Sequence, residues 1–291
     1  MHRGERAIAH VATLAAGGPD SDRPGLDPAL RVTLNFHPDR AAAGGVPILA
    51  ALAADGVYRS QFVTGTSNGG LTAYPGGDRW RWESRIFGGA YDEADPHERP
   101  VYGGLDFRLR GHGAAPRFGS AHFRLTAQAA ARSTFCYPDS AAEPTDFGSA
   151  RRMGLLALAR AADRGENGPD MLDDYIEAHV HGPVSIGRDV EALVLDPCYR
   201  GTEVEAAAER LPCALEWHGG FRLEAAVMAA HPDFRGREIV ELGARIAVGG
   251  SLDPKVIGAA VATGSHDPQA LKRVWHYVAR FGFNPRTADA P

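Results

Sequence analysis

Apolar and polar positions alternate in short runs through the first two thirds of the chain and give way to helical spacing in the last third. Val32-Thr33-Leu34-Asn35-Phe36-His37 has the two-residue period of a strand. Residues 46–54 carry the spacing of a helix that stops near Gly56, and residues 57–62 read as a second strand. Further strands are predicted over 105–109, 122–125, 133–137, 173–181 and 190–195, the last two as antiparallel neighbours, with a helix over 151–164. Beyond Asp196-Pro197 the pattern predicts helices over 202–210, 237–248, 254–263 and 268–281. The expectation is an α+β protein with three parts: an N-terminal helix and a Gly/Pro/Asp linker over 1–30, a core over 31–200, and a mainly helical region over 201–291. Residues 64–102 are dense in Gly, Trp, Arg and Asp and read as a long loop. Trp80, Trp82, Phe87 and Tyr91 give that loop something to bury, which a solvated linker lacks.

Composition narrows the function classes. With 291 residues and 44% hydrophobic content the chain has enough apolar material for a real core. A formal charge of -5 argues against a general nucleic-acid binder. Cys136, Cys198 and Cys213 are widely spaced, with no Cys-x-x-Cys pair, so neither a disulfide framework nor a zinc ribbon is indicated. No apolar run approaches the roughly 20 residues needed to span a bilayer, and no classical signal segment opens the chain. A cytoplasmic protein is expected, with export by a signal-independent route left open.

The chemistry concentrates in Tyr175-Ile176-Glu177-Ala178-His179-Val180-His181. Strand alternation puts Tyr175, Glu177, His179 and His181 on one face. A carboxylate so placed suits stabilising positive charge at a sugar carbon; the plainer reading is an exposed sheet face with no chemistry. His179-x-His181 also permits a metal-dependent hydrolase, with His37, His112 or His122 completing a site. The 64–102 loop permits a non-catalytic module that binds a ligand or protein. A dinucleotide-binding Gly-x-Gly-x-x-Gly turn between strand and helix is missing.

The segment from Leu34-Asn35-Phe36-His37 through Ile48 to Val57 resembles the opening of the ADP-ribosyltransferase superfamily, although Pro38-Asp39 stands where the poly-ADP-ribose polymerase branch has Gly-Ser. Ser133-Thr134-Phe135-Cys136-Tyr137-Pro138-Asp139-Ser140 is similar to the middle strand and turn of that fold, and the Glu177 strand to its late catalytic strand. A more local resemblance over residues 31–235, carried by Tyr58-Arg59-Ser60-Gln61-Phe62, Gly69-Gly70, Tyr102-Gly103-Gly104-Leu105, Gly119-Ser120 and the Glu177 strand, is to an uncharacterised bacterial domain-of-unknown-function family of the DUF3626 type. The superfamily resemblance implies a split antiparallel sheet and NAD-dependent ADP-ribosyl transfer with release of nicotinamide. Glu177 would be the catalytic carboxylate, with NAD as substrate and no metal. His37 would hold a ribose hydroxyl and Arg59, next to Tyr58, the diphosphate. Ser120 or Ser133 would support the nicotinamide pocket, and Tyr137, or an aromatic from the Trp80 loop, would stack on it. The acceptor, a protein or a small molecule, is left open, and His37 and Glu177 are expected across one cleft.

Overall fold

The computed structural model describes residues 2–16, 24–65, 72–163 and 170–284. Eight strands form one sheet: β1 (Val32–Phe36), β2 (Val101–Leu105), β3 (Ala121–Leu125), β4 (Ser133–Tyr137), β5 (Asp146–Ser149), β6 (Ile176–Val180), β7 (Val190–Leu195) and β8 (Ala214–Trp217). Their spatial order is β8-β7-β3-β1-β2-β6-β4-β5. Every pairing is antiparallel except that of β8 with β7. Numbering only those of six residues or more, the helices are α1 (Arg3–Ala16), α2 (Ile48–Asp55), α3 (Asp78–Ile86), α4 (Leu155–Ala162), α5 (Glu203–Ala208), α6 (Arg237–Ile246), α7 (Pro254–Ala262) and α8 (Pro268–Phe281). The fold is α+β with a mixed, mostly antiparallel sheet.

Register assigns the two faces. Val32, Leu34 and Phe36 of β1, Phe123 of β3, Phe135 of β4 and Ile176, Ala178 and Val180 of β6 share one buried apolar cluster with residues of α2, α4 and α5. The intervening positions make the opposite face polar: Thr33 and Asn35, Tyr102, His122 and Arg124, Thr134 and Cys136, Glu177 and His179. Burial of backbone and polar side chains requires partners, and a loop over 112–119 supplies them in the middle of this face. Asn35 donates from Nδ2 to the His112 carbonyl at 2.9 Å, while the Ala114 amide donates to Thr33 Oγ1 at 2.9 Å. One end of the polar face is covered by α1 and α3, which bury Val11, Trp82 and Phe87 with Cys136. The C-terminal helices form a second apolar core around Phe221, Trp275 and Tyr277.

Several expectations are corrected. β1 and β2 pair only at Val32–Leu105 and Thr33–Gly104, so the sheet has a narrow join there and is not divided into two. The second expected strand is only Val57–Tyr58, followed by a helical turn Gln61–Thr64. The strand placed at 105–109 is β2, ending at Leu105, and Leu109 has φ 51°. Within the supposed 64–102 loop lie α3 and the first two residues of β2; Gly69-Gly70 falls outside the described residues, as does much of the 17–28 linker. The strands containing Glu177 and Leu195 are not neighbours, because β2 and β4 flank the first and β3 and β8 the second. α1 is not peripheral: Ala7 and Val11 are fully buried. Beyond residue 200 the chain is mainly helical, yet it also returns a strand, β8, to the main sheet. The Asp-Pro starts of α7 and α8 behave as their sequence suggests. Asp253 accepts from the Val256 amide, and Asp267 from the Gln269 and Ala270 amides.

Gly119 closes the turn Pro116–Phe118 against β1, where an added Cβ would stand 2.0 Å from the Phe36 carbonyl carbon. Backbone cannot yield as a side-chain tip can, so Gly119→Ala is expected to cost about 1–3 kcal/mol. Urea unfolding measures this directly; an unchanged midpoint would contradict the packing described.

Candidate active site on the polar face of the sheet

Glu177 sits at the centre of β6, opposite Gly104 on one side and Cys136 on the other. It is 5% exposed, so the face expected to be solvated if inert is instead buried. Its Oε1 is 3.1 Å from His179 Nε2, and Ser140 Oγ donates to its Oε2 at 3.0 Å. Arg79 of α3 donates from Nη1 to the same Ser140 oxygen at 2.7 Å and lies 3.8 Å from Glu177 Oε1. The Arg79 guanidinium rests over the Tyr102 ring, 4.1 Å from its centre. Burial pushes the Glu177 carboxyl up. The His179 hydrogen bond, the Arg79 charge and the Ser140 bond outweigh it, holding the carboxyl below the usual range.

The hydrogen bonds along this face fix a direction. His179 and His181 are pulled below the ordinary imidazole value, first by burial, His181 to about 3, so both rings are neutral. A neutral ring has one donor and one acceptor nitrogen. With Glu177 accepting from His179 Nε2, His179 Nδ1 must accept from Thr134 Oγ1 at 3.0 Å, Thr134 must accept from His181 Nε2 at 2.9 Å, and His181 Nδ1 must accept from Tyr91 at 2.9 Å. Each donor in the relay thus points toward the carboxylate. A second buried acid, Glu83, is pushed up to about 7 by burial, against its contacts with Arg99 at 2.6 Å and Tyr102 at 3.0 Å.

A cavity of about 370 Å³ opens beside this cluster, lined by Trp82, Arg81, Arg85 and Asp78 of α3 and by Ser140 and Glu143. Ser140 belongs to both, so it joins the cavity to the carboxylate. The size lies within the range of small-molecule sites.

Of the residues expected around NAD, only Glu177 stands in this cluster. In β4 the strand period decides: Thr134 and Cys136 face Glu177, whereas Ser133 and Tyr137 point to the other side. Ser133 donates to the Ala129 carbonyl, and Tyr137 to Asp174 at 2.7 Å. Tyr58 packs edge-on against Phe36 and Phe123 in the apolar core, and burial pushes its phenol up to about 12. Arg59 is held by Asp55 at 2.7 Å and His97 at 2.9 Å beside a smaller cavity of about 140 Å³. Ser120 is buried where its carbonyl accepts from His218 Nε2 at 2.7 Å. His37 leaves β1 toward α8 and meets Trp275 edge-on, ring centres 5.0 Å apart. Strand spacings put it about 16 Å from Glu177, on the same face of the sheet but not across one cleft. Trp82 belongs to the loop whose aromatics are an alternative to Tyr137, whereas Arg79, Ser140 and Cys136 carry no such expectation; the register of β4 against β6 brings in Cys136, and tertiary packing brings in the other two. His179 and His181 do not form a metal pair, because Thr134 stands between them and both rings are fully engaged. Instead one ligand atom each from Cys136, Glu177 and His179 lie within 4.8 Å of one another.

Gly65-Thr66-Ser67-Asn68-Gly69 also has the Gly-x-Ser-x-Gly spacing of a hydrolase nucleophile turn. That turn links a strand to a helix, whereas Gly65 here caps the helical turn Gln61–Thr64, and residues 66–71 lie outside those described. A family model described as "Protein of unknown function (DUF3626)" matches residues 31–162 and 157–280. No curated protein matches the chain. Among the described residues no helix is long and apolar enough to cross a membrane.

Proposed function

We propose, for a chain that belongs to the DUF3626 family of proteins of unknown function, that it cleaves the nicotinamide–ribose bond of NAD and transfers the ADP-ribosyl group to an acceptor. The observation that carries this reading is the ionised, buried Glu177 joined through Ser140 to a cavity walled by Trp82. In such a reaction the bond from the ribose C1 to the ring nitrogen breaks and its electron pair leaves with nicotinamide. Glu177 steadies the positive charge that develops at C1, an interaction far stronger in a dry site than in water. Trp82 offers its ring face to the cationic nicotinamide. A lone pair of the acceptor then bonds to C1, and its proton passes to solvent. His37, Tyr58, Arg59, Ser120, Ser133 and Tyr137 have no part in this step at the positions described above. The test is transfer of label from adenine-labelled NAD, with purified protein added to host-cell lysate. A labelled acceptor supports transfer, release of nicotinamide without labelling narrows the reading to NAD hydrolysis, and neither outcome appearing favours a ligand- or protein-binding module.

A metal-dependent hydrolase has one observation in its favour, the Cys136, Glu177 and His179 trio. Against it stand the Arg79 guanidinium 3.8 Å from the Glu177 carboxylate, a positive charge where a cation would bind, and the burial that pushes the Cys136 thiol up. Treatment with a chelator is expected to leave nicotinamide release within twofold of the untreated protein. A loss above tenfold, restored by zinc, would show that the cleavage needs a metal at the Cys136, Glu177 and His179 trio and would contradict Glu177 acting as a metal-free carboxylate.

A further inference from the structure

The turn Pro116–Phe118 is seated on α8 by Trp275, whose Nε1 donates to the Pro116 carbonyl at 2.9 Å. Around that seat Arg117, Arg235, His276 and His37 converge from four separate segments. Among the described residues both ring nitrogens of His276, Nε and Nη2 of Arg235, Nε of Arg117 and Nδ1 of His37 are buried without a hydrogen-bond partner. Buried polar atoms are nearly always satisfied in folded proteins, and His276 is only 5% exposed. Asp173 is set among them, pairing with Arg117 and lying 3.9 Å from Arg235.

Cationic neighbours dominate the electrostatics of the two histidines. His276 is pulled to about 3 by burial and then by Arg235, Arg117, Lys272 and Arg273. Arg235 is itself lowered by burial and by Arg117 and Arg273, against Asp170 and Tyr277. His37 is lowered by burial, then by Arg40, His276 and Lys272. Cations thus crowd together around nitrogens that lack acceptors, the arrangement that an anion with several oxygens would complete. The planar fork of Arg matches phosphate geometry.

We infer that Arg117, Arg235, His276 and His37 form a binding site for a phosphate-class anion, with a diphosphate group as the ligand that engages donors on both sides of Trp275. Asp173 is the internal counter-ion that the ligand displaces. Phe118, next to Arg117, meets Tyr175 edge-on at 5.7 Å, and Tyr175 stands two residues before Glu177 on the strand. Assigning its occupant as the diphosphate of NAD rests on the glycosyl-transfer reading; the site does not.

Sodium pyrophosphate, titrated calorimetrically into the full chain against chloride of equal ionic strength, tests this. Saturable binding is expected, weakened at least tenfold by Arg235→Gln and tightened at least threefold by Asp173→Asn, a gain that misfolding cannot mimic. No saturable binding, or an Asp173→Asn variant that binds no tighter, would overturn the proposal. Pyrophosphate binding in a protein that releases no nicotinamide would remove the glycosyl-transfer reading and leave this site standing.

Discussion

Acidification from about pH 7 to about pH 4.5 is expected to unfold the protein, with the loss of stability starting below the ordinary histidine value of about 6.5. His112 is lowered to about 4, and His181 and His276 to about 3, each first by burial. His37 and His122 are also held well below their ordinary value. The folded state keeps these rings neutral, while the unfolded chain protonates them near 6.5. Their stability contribution is therefore fully present above 6.5 and lost as pH falls toward 4 for His112 and toward 3 for His181 and His276. Each costs about 1.4 kcal/mol per pH unit across that window. Glu83, Asp106, Asp39 and Asp174, all raised by burial, act in the opposite direction. Glu83, pushed up to about 7, and Asp106, pushed up to about 6, bind protons earlier in the folded state than in the unfolded chain. The histidines outnumber them, leaving a net loss on the order of 5 kcal/mol by pH 4.5, comparable to the whole stability of many domains. Urea midpoints followed by circular dichroism at half-unit steps of pH check this. A midpoint that stays level or rises from pH 7 to pH 4.5 would show that the histidines are not buried as described.

Substitutions at Glu177 should separate chemistry from folding. Glu177→Ala removes the acceptor of His179 and Ser140 and strands Arg79, which is 3% exposed, without its carboxylate. Breaking a buried ion pair from one side costs about 3–5 kcal/mol, so this variant is expected to be strongly destabilised and uninformative about catalysis. Glu177→Gln keeps the volume and an acceptor oxygen for the relay that starts at Tyr91 and passes through His181, Thr134 and His179. It is expected to fold and to lose about 10²–10³ in the rate of nicotinamide release, the cost of deleting one aimed electrostatic group. Thermal unfolding of the two variants side by side is the check. Equal stabilities would mean that the carboxylate is not the buried partner of Arg79.

What was legible in the sequence were local periods. The alternation of Val32 to Phe36 and of Tyr175 to His181 predicts strands of the right phase, and the helical spacing over 254–263 and 268–281 predicts two helices that the structure retains. Pairing was not legible, because a strand's neighbours depend on crossovers that composition does not encode. Hence Val190–Leu195 was set beside the Glu177 strand, while Val101–Leu105 and Ser133–Tyr137 occupy those places. The same gap misdirected the site. Ser133 and Tyr137 have suitable chemistry, but Thr134 and Cys136, one residue away, take the face that Glu177 occupies. Arg79, Trp82 and Ser140 come from segments far from the strand, and only tertiary packing brings them to it.

The most direct test of the central claim is nicotinamide release from NAD by the wild-type protein and by Glu177→Gln, at matched thermal stability and with lysate present as a source of acceptor. Release by the wild type that falls at least a hundredfold in the variant is the expected result. Equal release by both proteins, or none by the wild type across several lysates, would contradict the assignment of Glu177 as the carboxylate at which the glycosidic bond breaks.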